Sequence, residues 1–254
     1  MILTLRTAIL CSLFILPFRS MAESRPAEVQ KADTATVAPV ARAAGIVIPA
    51  AMVTYGLISL GDNGIRRLDH NIRDNLARDN AFWYISADNY TQFAPAVAAF
   101  ALKGCGVSSA HNWGDMAAIY LLSNALAGGI VYGTKYAIGR QRPDASNNLS
   151  FPSGHTETAF VAAEFLYQEF KDKSAWIGVA GYGVAAWTGA ARIMNNKHWL
   201  SDVVAGAGVG ILSAKAVYWC YPYLKKALWH GNSSAMLLPG YSHGQAVVSF
   251  SCRF

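Results

Sequence analysis

A histidine and an aspartate four residues apart are the clearest sign of chemistry in this 254-residue chain. His198 and Asp202 close the run that begins at Arg192, and on a helix their spacing would place both side chains on one face. A carboxylate beside one imidazole nitrogen fixes the tautomer and leaves the other nitrogen free to attack. A histidine beside an apolar segment can equally be an ordinary interfacial residue, so the pair alone leaves both interpretations open.

Basic residues at the ends of apolar segments form the second signal. Lys135 and Arg142 flank the run Tyr-Ala-Ile-Gly-Arg-Gln, and Arg192 precedes His198 by six positions. A cation beside an apolar segment is costly unless it is paired. Three cations around one trianionic group would offset that cost, and the guanidinium fork matches phosphate oxygens. The alternative is three side chains that snorkel toward a membrane surface.

The third signal is the sequence Phe-Pro-Ser-Gly-His-Thr, which opens a helical segment. Backbone N–H groups at a helix start, here beside Ser153 and Gly154, make an anion-binding site. His155 directly follows them in the sequence. Serine and glycine are also ordinary capping residues, so this run alone is weak support for a site.

Taken together, the patterns Lys-x6-Arg-Pro, Pro-Ser-Gly-His and Arg-x5-His-x3-Asp resemble the type 2 phosphatidic acid phosphatase/haloperoxidase superfamily. The resemblance covers residues 135–202 directly. Ala191 departs from it, because the family usually has serine before the arginine; one hydroxyl contact is lost and no proton-transfer role is affected. The resemblance implies an all-α bundle of about six helices, associated with a membrane, as in bacterial membrane lipid phosphatases.

The resemblance also implies a role for each matched residue. His198 would attack phosphorus and become a phosphohistidine, Asp202 would hold its imidazole, and His155 would protonate the leaving oxygen and then activate water. The implied phosphate-binding residues are Lys135, Arg142, Ser153, Gly154 and Arg192. Because these side chains can supply the positive charge, we expect neither a metal nor another cofactor.

The composition agrees with a membrane protein. Hydrophobic residues make up 53% of the chain and charged residues 14%, against about 25% charged in soluble domains. Residues 43–61, 116–134 and 174–191 lack Asp, Glu, Lys and Arg, and a membrane-spanning helix needs about 20 apolar residues. Further apolar segments are 89–102, the stretch after Pro152, and 203–214. The buried core of a soluble enzyme would also produce such runs.

The chain divides into four predicted parts: a signal-like or anchor segment (1–22), a linker (23–42), a phosphatase domain (43–230) and a tail (231–254). Between the apolar segments 43–61 and 89–102, apolar residues at helical spacing predict an amphipathic helix within 61–90. The tail alternates apolar and polar residues, which predicts a short β-like segment. A net charge of +6 without a basic, aromatic-interleaved run favours no nucleic-acid partner.

Lysines in short loops mark the cytoplasmic side of a membrane. Lys171, Lys173, Lys225 and Lys226 fall at the bundle end opposite the polar clusters, so we expect a bacterial inner-membrane protein whose site faces the periplasm. A cleaved signal followed by six spans would reverse this orientation. The expected partners are membrane lipids. The expected substrate is a phospholipid (phosphatidate), lipid A or polyprenyl diphosphate. The alternatives are a secreted, soluble periplasmic acid phosphatase and a vanadium haloperoxidase of the same superfamily.

Overall fold

The computed structural model describes residues 30–79, 82, 86–228, 235–242 and 245–252. Contacts divide the chain into two units after Ile46, and the described residues of the first unit, 30–46, are helical. The predicted signal-like segment, 1–22, lies outside the described residues.

Eight helices make up most of the described chain. They are α1 (Gln30–Ile58), α2 (Gly64–Arg78), α3 (Asp88–Thr91), α4 (Ala94–Gly104), α5 (Trp113–Ile138), α6 (Gly154–Phe170), α7 (Ala175–Met194) and α8 (Leu200–Leu228). The expected all-α class is confirmed. Six of the helices coincide with the six apolar segments of the sequence, α2 is the expected amphipathic helix, and α3 adds one further turn.

The N-terminal and C-terminal parts of the chain differ in structure. Residues 30–42, interpreted above as part of a linker, belong to α1, and four alanines in this stretch favour helix. The alternating tail forms two antiparallel strands, β1 (Ala235–Ser242) and β2 (Gln245–Cys252), with Ala235 opposite Cys252.

Helix α6 lies at the centre of the bundle, packed against α4, α5, α7 and α8. Eleven of its 17 residues are buried, among them Phe165 and Phe170 of the main apolar core. Its buried Glu164 accepts hydrogen bonds from Lys215 (2.8 Å) and from Tyr182. Because α6 begins at Gly154, this central packing fixes the position of the helix start that the sequence marked as an anion site.

Glycines bring α8 into backbone contact with α6. A Cβ atom on Gly206 would lie 2.5 Å from the carbonyl oxygen of Ser153, and one on Gly210 would lie 2.5 Å from that of Glu157. At the same crossing, the Ser153 N–H donates to the carbonyl oxygen of Asp202 at 3.0 Å. The absence of side chains at Gly206 and Gly210 therefore allows the start of α6 and the start of α8, which carry the polar residues, to lie close together.

Two helices in the described part of the chain are long and apolar enough to cross a membrane, Trp113–Ile138 and Leu200–Ala227. Shorter apolar helices are Ala43–Ile58 and Ala94–Gly104. Large apolar side chains also lie exposed on the outside of the bundle, including Leu121 and Ile130 on α5 and Val179 on α7.

Substitution of Gly206 tests the close helix contact. Gly206→Ala should lower the thermal unfolding midpoint in detergent, because the added methyl meets a backbone carbonyl and overpacking costs about 1–3 kcal/mol. Gly183→Ala on α7 is the matched control, since nothing lies within 4 Å of its Cβ position. Calorimetry of the purified variants should show a lower midpoint only for Gly206→Ala; equal midpoints would contradict the assigned contact.

Candidate active site

His198 lies just outside α8, which begins at Leu200, so the expectation that it shares a helix face with Asp202 is wrong. The two side chains meet nevertheless, because Asp202 stands in the first helical turn. Nδ1 of His198 is 3.7 Å from Oδ2 of Asp202, which is too long for a hydrogen bond. Among the described residues this buried nitrogen has no hydrogen-bond partner.

Asp202 is fully buried and held by three donors. One carboxylate oxygen, Oδ1, accepts from Nη1 of Arg140 at 2.7 Å. The other, Oδ2, accepts from the Ser150 hydroxyl and from the Trp199 N–H at 3.0 Å. The bond from the Trp199 N–H caps the N-terminus of α8, where the helix dipole also favours a negative charge. The carboxylate therefore has a fixed position beside the imidazole.

The environment of His198 keeps its ring neutral. Burial lowers the pKa of the imidazole to about 4, and the charges of Lys135 and Arg192 act in the same direction, while Asp202 opposes them. At neutral pH one ring nitrogen therefore has a free lone pair, which is the form of histidine that can act as a nucleophile.

His155 lies in the first turn of α6. Its Nε2 is 2.9 Å from the side-chain oxygen of Asn89 on α3, which can only accept, so this nitrogen bears the proton. The neighbouring Ser153 is the N-cap residue, yet in the described structure its side chain makes no capping bond and instead accepts from the Thr156 hydroxyl at 2.9 Å. The first N–H groups of α6 are thus not occupied by the cap side chain.

Lys135 and Arg142 differ in how strongly they are held. Nζ of Lys135 donates to the carbonyl oxygens of Leu149 (2.7 Å) and Ser150 (3.4 Å). Nε of Arg142 is buried and finds no partner within the described residues. Burial, followed by repulsion from Arg192, lowers the pKa of the Arg142 guanidinium. An anion bound beside Arg142 would give Nε a partner and would offset the repulsion from Arg192.

Arg192 is bound by an acidic residue that the sequence analysis did not identify. Its Nη1 donates to Oδ2 of Asp88 at 2.7 Å, and both side chains are almost completely buried. Asn195 donates to the same oxygen at 3.1 Å. Arg192 thus reaches the site as one half of an ion pair, and its buried Nε has no hydrogen-bond partner in the described part of the chain.

A cavity of about 470 Å³ joins most of the predicted site residues. Those that line it are Lys135, Arg142, Gly154, His155 and His198. Ser153, Arg192 and Asp202 do not line it and lie behind this first layer. The cavity continues along α5 past Val131 and Gly128 to Asn124, eleven residues from Lys135, which is about 16 Å of helix.

Five further residues of the site were missed from the sequence: Asp69, Asp88, Asn89, Arg140 and Ser150. Arg140 stands inside the Lys-x6-Arg pattern, so its basic character was visible without an assigned role. The other four have no local signal. Within the described residues, no group of three or more His, Cys, Asp or Glu side chains is placed to hold a metal ion. Metal independence stays a prediction.

Comparison with known proteins identifies this part of the chain. Residues 116–226 match the PAP2 superfamily. A lipid A 1-phosphatase from Porphyromonas gingivalis is 42% identical over 153 residues, covering 60% of this chain and 34% of that protein. A lipid A 1-phosphatase from Rhizobium etli is 32% identical over 110 residues, covering 36% and 44% respectively.

Among solved structures, a transmembrane PAP2 type phosphatidylglycerolphosphate phosphatase from Bacillus subtilis aligns with a TM-score of 0.47 at 20% identity. The alignment covers 70% of this chain and 98% of that one. Residues 116–226, which contain every predicted site residue, match the PAP2 superfamily, so the resemblance seen in the sequence is confirmed for them. The chain spans about a third of the length of the Porphyromonas protein.

The buried neutral His198 gives a prediction for stability in acid. The unfolded imidazole binds a proton below about pH 6.5, whereas the folded one does so only near pH 4. Stability should therefore fall as the pH drops between these two values. His198→Gln removes this contribution, so its unfolding midpoint in detergent should fall less than that of the unmodified protein. Parallel midpoint curves for the two proteins would contradict the assigned pKa.

Proposed function

We propose that this chain is a membrane phosphatase that hydrolyses a lipid phosphate or diphosphate through a phosphohistidine. The observation that supports it most directly is the shared cavity, which brings the neutral His198 together with Lys135, Arg142 and His155. The favoured substrate is lipid A carrying a 1-phosphate, because the Porphyromonas and Rhizobium relatives are named for that activity. Polyprenyl diphosphate and phosphatidate are the competing substrates.

In the first step, Nε2 of His198 attacks phosphorus while the bond between phosphorus and the leaving oxygen breaks. His155, whose Nε2–H is held by Asn89, gives a proton from Nδ1 to that oxygen. Burial and repulsion from Arg192 lower the pKa of this imidazole to about 4, so it is the negative charge of the bound phosphate that holds the second proton on the ring.

Asp202 balances the positive charge that develops on the attacking ring of His198. Lys135 and Arg142 hold the remaining phosphate oxygens as negative charge redistributes over them. The products are a phosphohistidine and the dephosphorylated lipid.

In the second step, water attacks phosphorus and the bond between phosphorus and nitrogen breaks. His155, now neutral, accepts a proton from the attacking water, which restores it as an acid for the next cycle. His198 recovers the neutral ring with which it began, and inorganic phosphate leaves. Asn89 holds the orientation of the His155 ring during both proton transfers.

The exterior of α5 supports the membrane location. Leu121, Leu126 and Ile130 are exposed along this helix, an arrangement that costs free energy in water and none in hydrocarbon. Exposed aromatic side chains stand near its two ends, Trp113 and Tyr136, separated by 23 residues or about 35 Å. Aromatic side chains at this separation fit the two interfaces of a bilayer whose hydrocarbon core is about 30 Å thick.

The substrate assignment is tested with purified protein in detergent. Phosphate release from lipid A should be faster than from phosphatidate or polyprenyl diphosphate, should persist in EDTA, and should fall with orthovanadate, which resembles the transition state. His198→Ala should be inactive, and no acid-labile phosphoenzyme should form on it in rapid-quench experiments with ³²P-labelled substrate. An undiminished adduct on His198→Ala would refute the nucleophile, and loss of activity in EDTA with recovery in magnesium would refute the mechanism.

His155→Ala is the matched second variant. Its deficit in the first step should shrink with an activated aryl phosphate, because that leaving group needs little protonation; general acid catalysis is worth about 10²–10⁴-fold. A phosphoenzyme should accumulate in it, since the second step also needs this histidine. Equal deficits for both leaving groups without an adduct would contradict the role of His155.

We further propose the bacterial inner membrane with the site facing the periplasm. Lys171 ends α6 and Lys225 lies in the last turn of α8, so both stand at the ends opposite His155 and Asp202. Lysines at this end favour the cytoplasmic side.

Cysteine labelling tests the orientation. In a variant whose own cysteines are replaced by serine, a cysteine at the exposed position of Asn147 should react with a membrane-impermeant maleimide in cells with a permeabilised outer membrane. A cysteine at Asp172, exposed at the other end, should not react. The reverse pattern would place the site in the cytoplasm, and recovery of the protein in the soluble fraction would favour the periplasmic acid phosphatase.

A further inference from the structure

Helix α2 has an unusual pattern of burial. It is described in full, and it buries the carboxylate of Asp69 while Leu68 beside it remains exposed. A lone buried carboxylate is strongly disfavoured unless other groups pair with it. Asp69 is therefore the residue that anchors α2 at the catalytic end of the bundle. Because its charge is buried, it requires a partner inside the site.

Both oxygens of Asp69 are engaged by the start of α8 and by Arg140. Oδ1 accepts from the Ser201 N–H at 3.0 Å, and Oδ2 accepts from the Ser201 hydroxyl and from Nη2 of Arg140 at 2.8 Å. Ser201 immediately precedes Asp202, so Asp69 binds the backbone N–H of the residue next to the catalytic carboxylate.

Arg140 bridges two carboxylates. Its Nη2 binds Asp69, and its Nη1 binds Oδ1 of Asp202 at 2.7 Å and the Ser201 hydroxyl at 2.8 Å. The guanidinium lies 5.5 Å from the ring centre of Trp199, which packs on His70 of α2. Lysine could not replace this arrangement, because a single ammonium group lacks the planar fork.

We propose that Asp69 is a positioning residue of the phosphatase reaction, acting through Arg140 on Asp202. Two carboxylates share one guanidinium, so Asp202 keeps part of its negative charge for the imidazole beside it. Without Asp69, Arg140 would neutralise Asp202 more completely. The catalytic aspartate would then stabilise less of the positive charge that builds on His198 as phosphorus is attacked. This inference rests on the proposed function.

The expected kinetic signature is a change in kcat rather than in KM. Asp69 does not line the 470 Å³ cavity, so Asp69→Asn should leave KM within about twofold. Its kcat should fall by on the order of tenfold or more, because small misplacements of a catalytic group cost rates of this order. Asp74→Asn is the matched control, since Asp74 lies on the same helix, is exposed and pairs with Arg73. Its kcat should equal that of the unmodified protein.

A double-substitution cycle separates this role from a merely structural one. If Asp69 acts through Arg140, Asp69→Asn should cost much less activity in an Arg140→Gln background than in the unmodified protein. Additive losses would overturn the proposal, as would a kcat for Asp69→Asn equal to that of Asp74→Asn. So would a loss that only follows the folded fraction measured from the unfolding midpoint.

Arg140→Lys keeps the proposal testable if Asp69→Asn does not fold. The ammonium group retains the charge but cannot bridge both carboxylates, so kcat should fall with little change in KM; full kcat would overturn the proposal. All assays include the unmodified protein with the lipid phosphate substrate. Absence of activity in that protein would refute the proposed function, whereas activity that is insensitive to Asp69→Asn would refute the positioning role alone.

Discussion

The buried carboxylate of Asp202 is the group on which the rest of the site depends. A charge without solvent contact requires donors on every side, and here they come from separate stretches of chain: Arg140 and Ser150 from the α5–α6 connection and the Trp199 N–H from the start of α8. Supplying these donors fixes the loop after α5, the first turn of α8 and the position of His198. The geometry around His198 is thus a consequence of compensating one buried charge.

The same requirement extends outward through the basic residues. Arg140 also binds a second carboxylate, that of Asp69 on α2, and Arg192 binds Asp88 at the start of α3. Helices α2 and α3 are therefore alike in one respect, since each contributes one aspartate that pairs with an arginine of the site. Arg142 keeps a buried nitrogen without a partner in the described residues, which leaves positive charge available for a phosphate.

The sequence predicts the residues that line the cavity better than those that support them. Lys135, His155 and His198 stand in three short motifs that together indicate a site, and the apolar segments predict the six main helices. Asp69 and Asp88 lie 133 and 104 residues from Asp202 and Arg192, next to which they pack, and no periodic pattern connects such distant positions. The placement of His198 outside α8 was also hidden, because helix starts are defined by capping bonds such as that of Trp199.

Helix α8 has close neighbours on two sides. Gly206 and Gly210 meet backbone carbonyls of α6, and on another face a Cβ on Gly208 would lie 2.5 Å from the carbonyl oxygen of Pro49 on α1. Sliding α8 by one helical turn would bring Asp202 or Ala214 to a crossing where only glycine fits. The helix consequently has a single permitted register between its neighbours. The depth of Asp202 along the bundle axis is therefore limited by the absence of side chains at these crossings, in addition to the hydrogen bonds that hold its carboxylate.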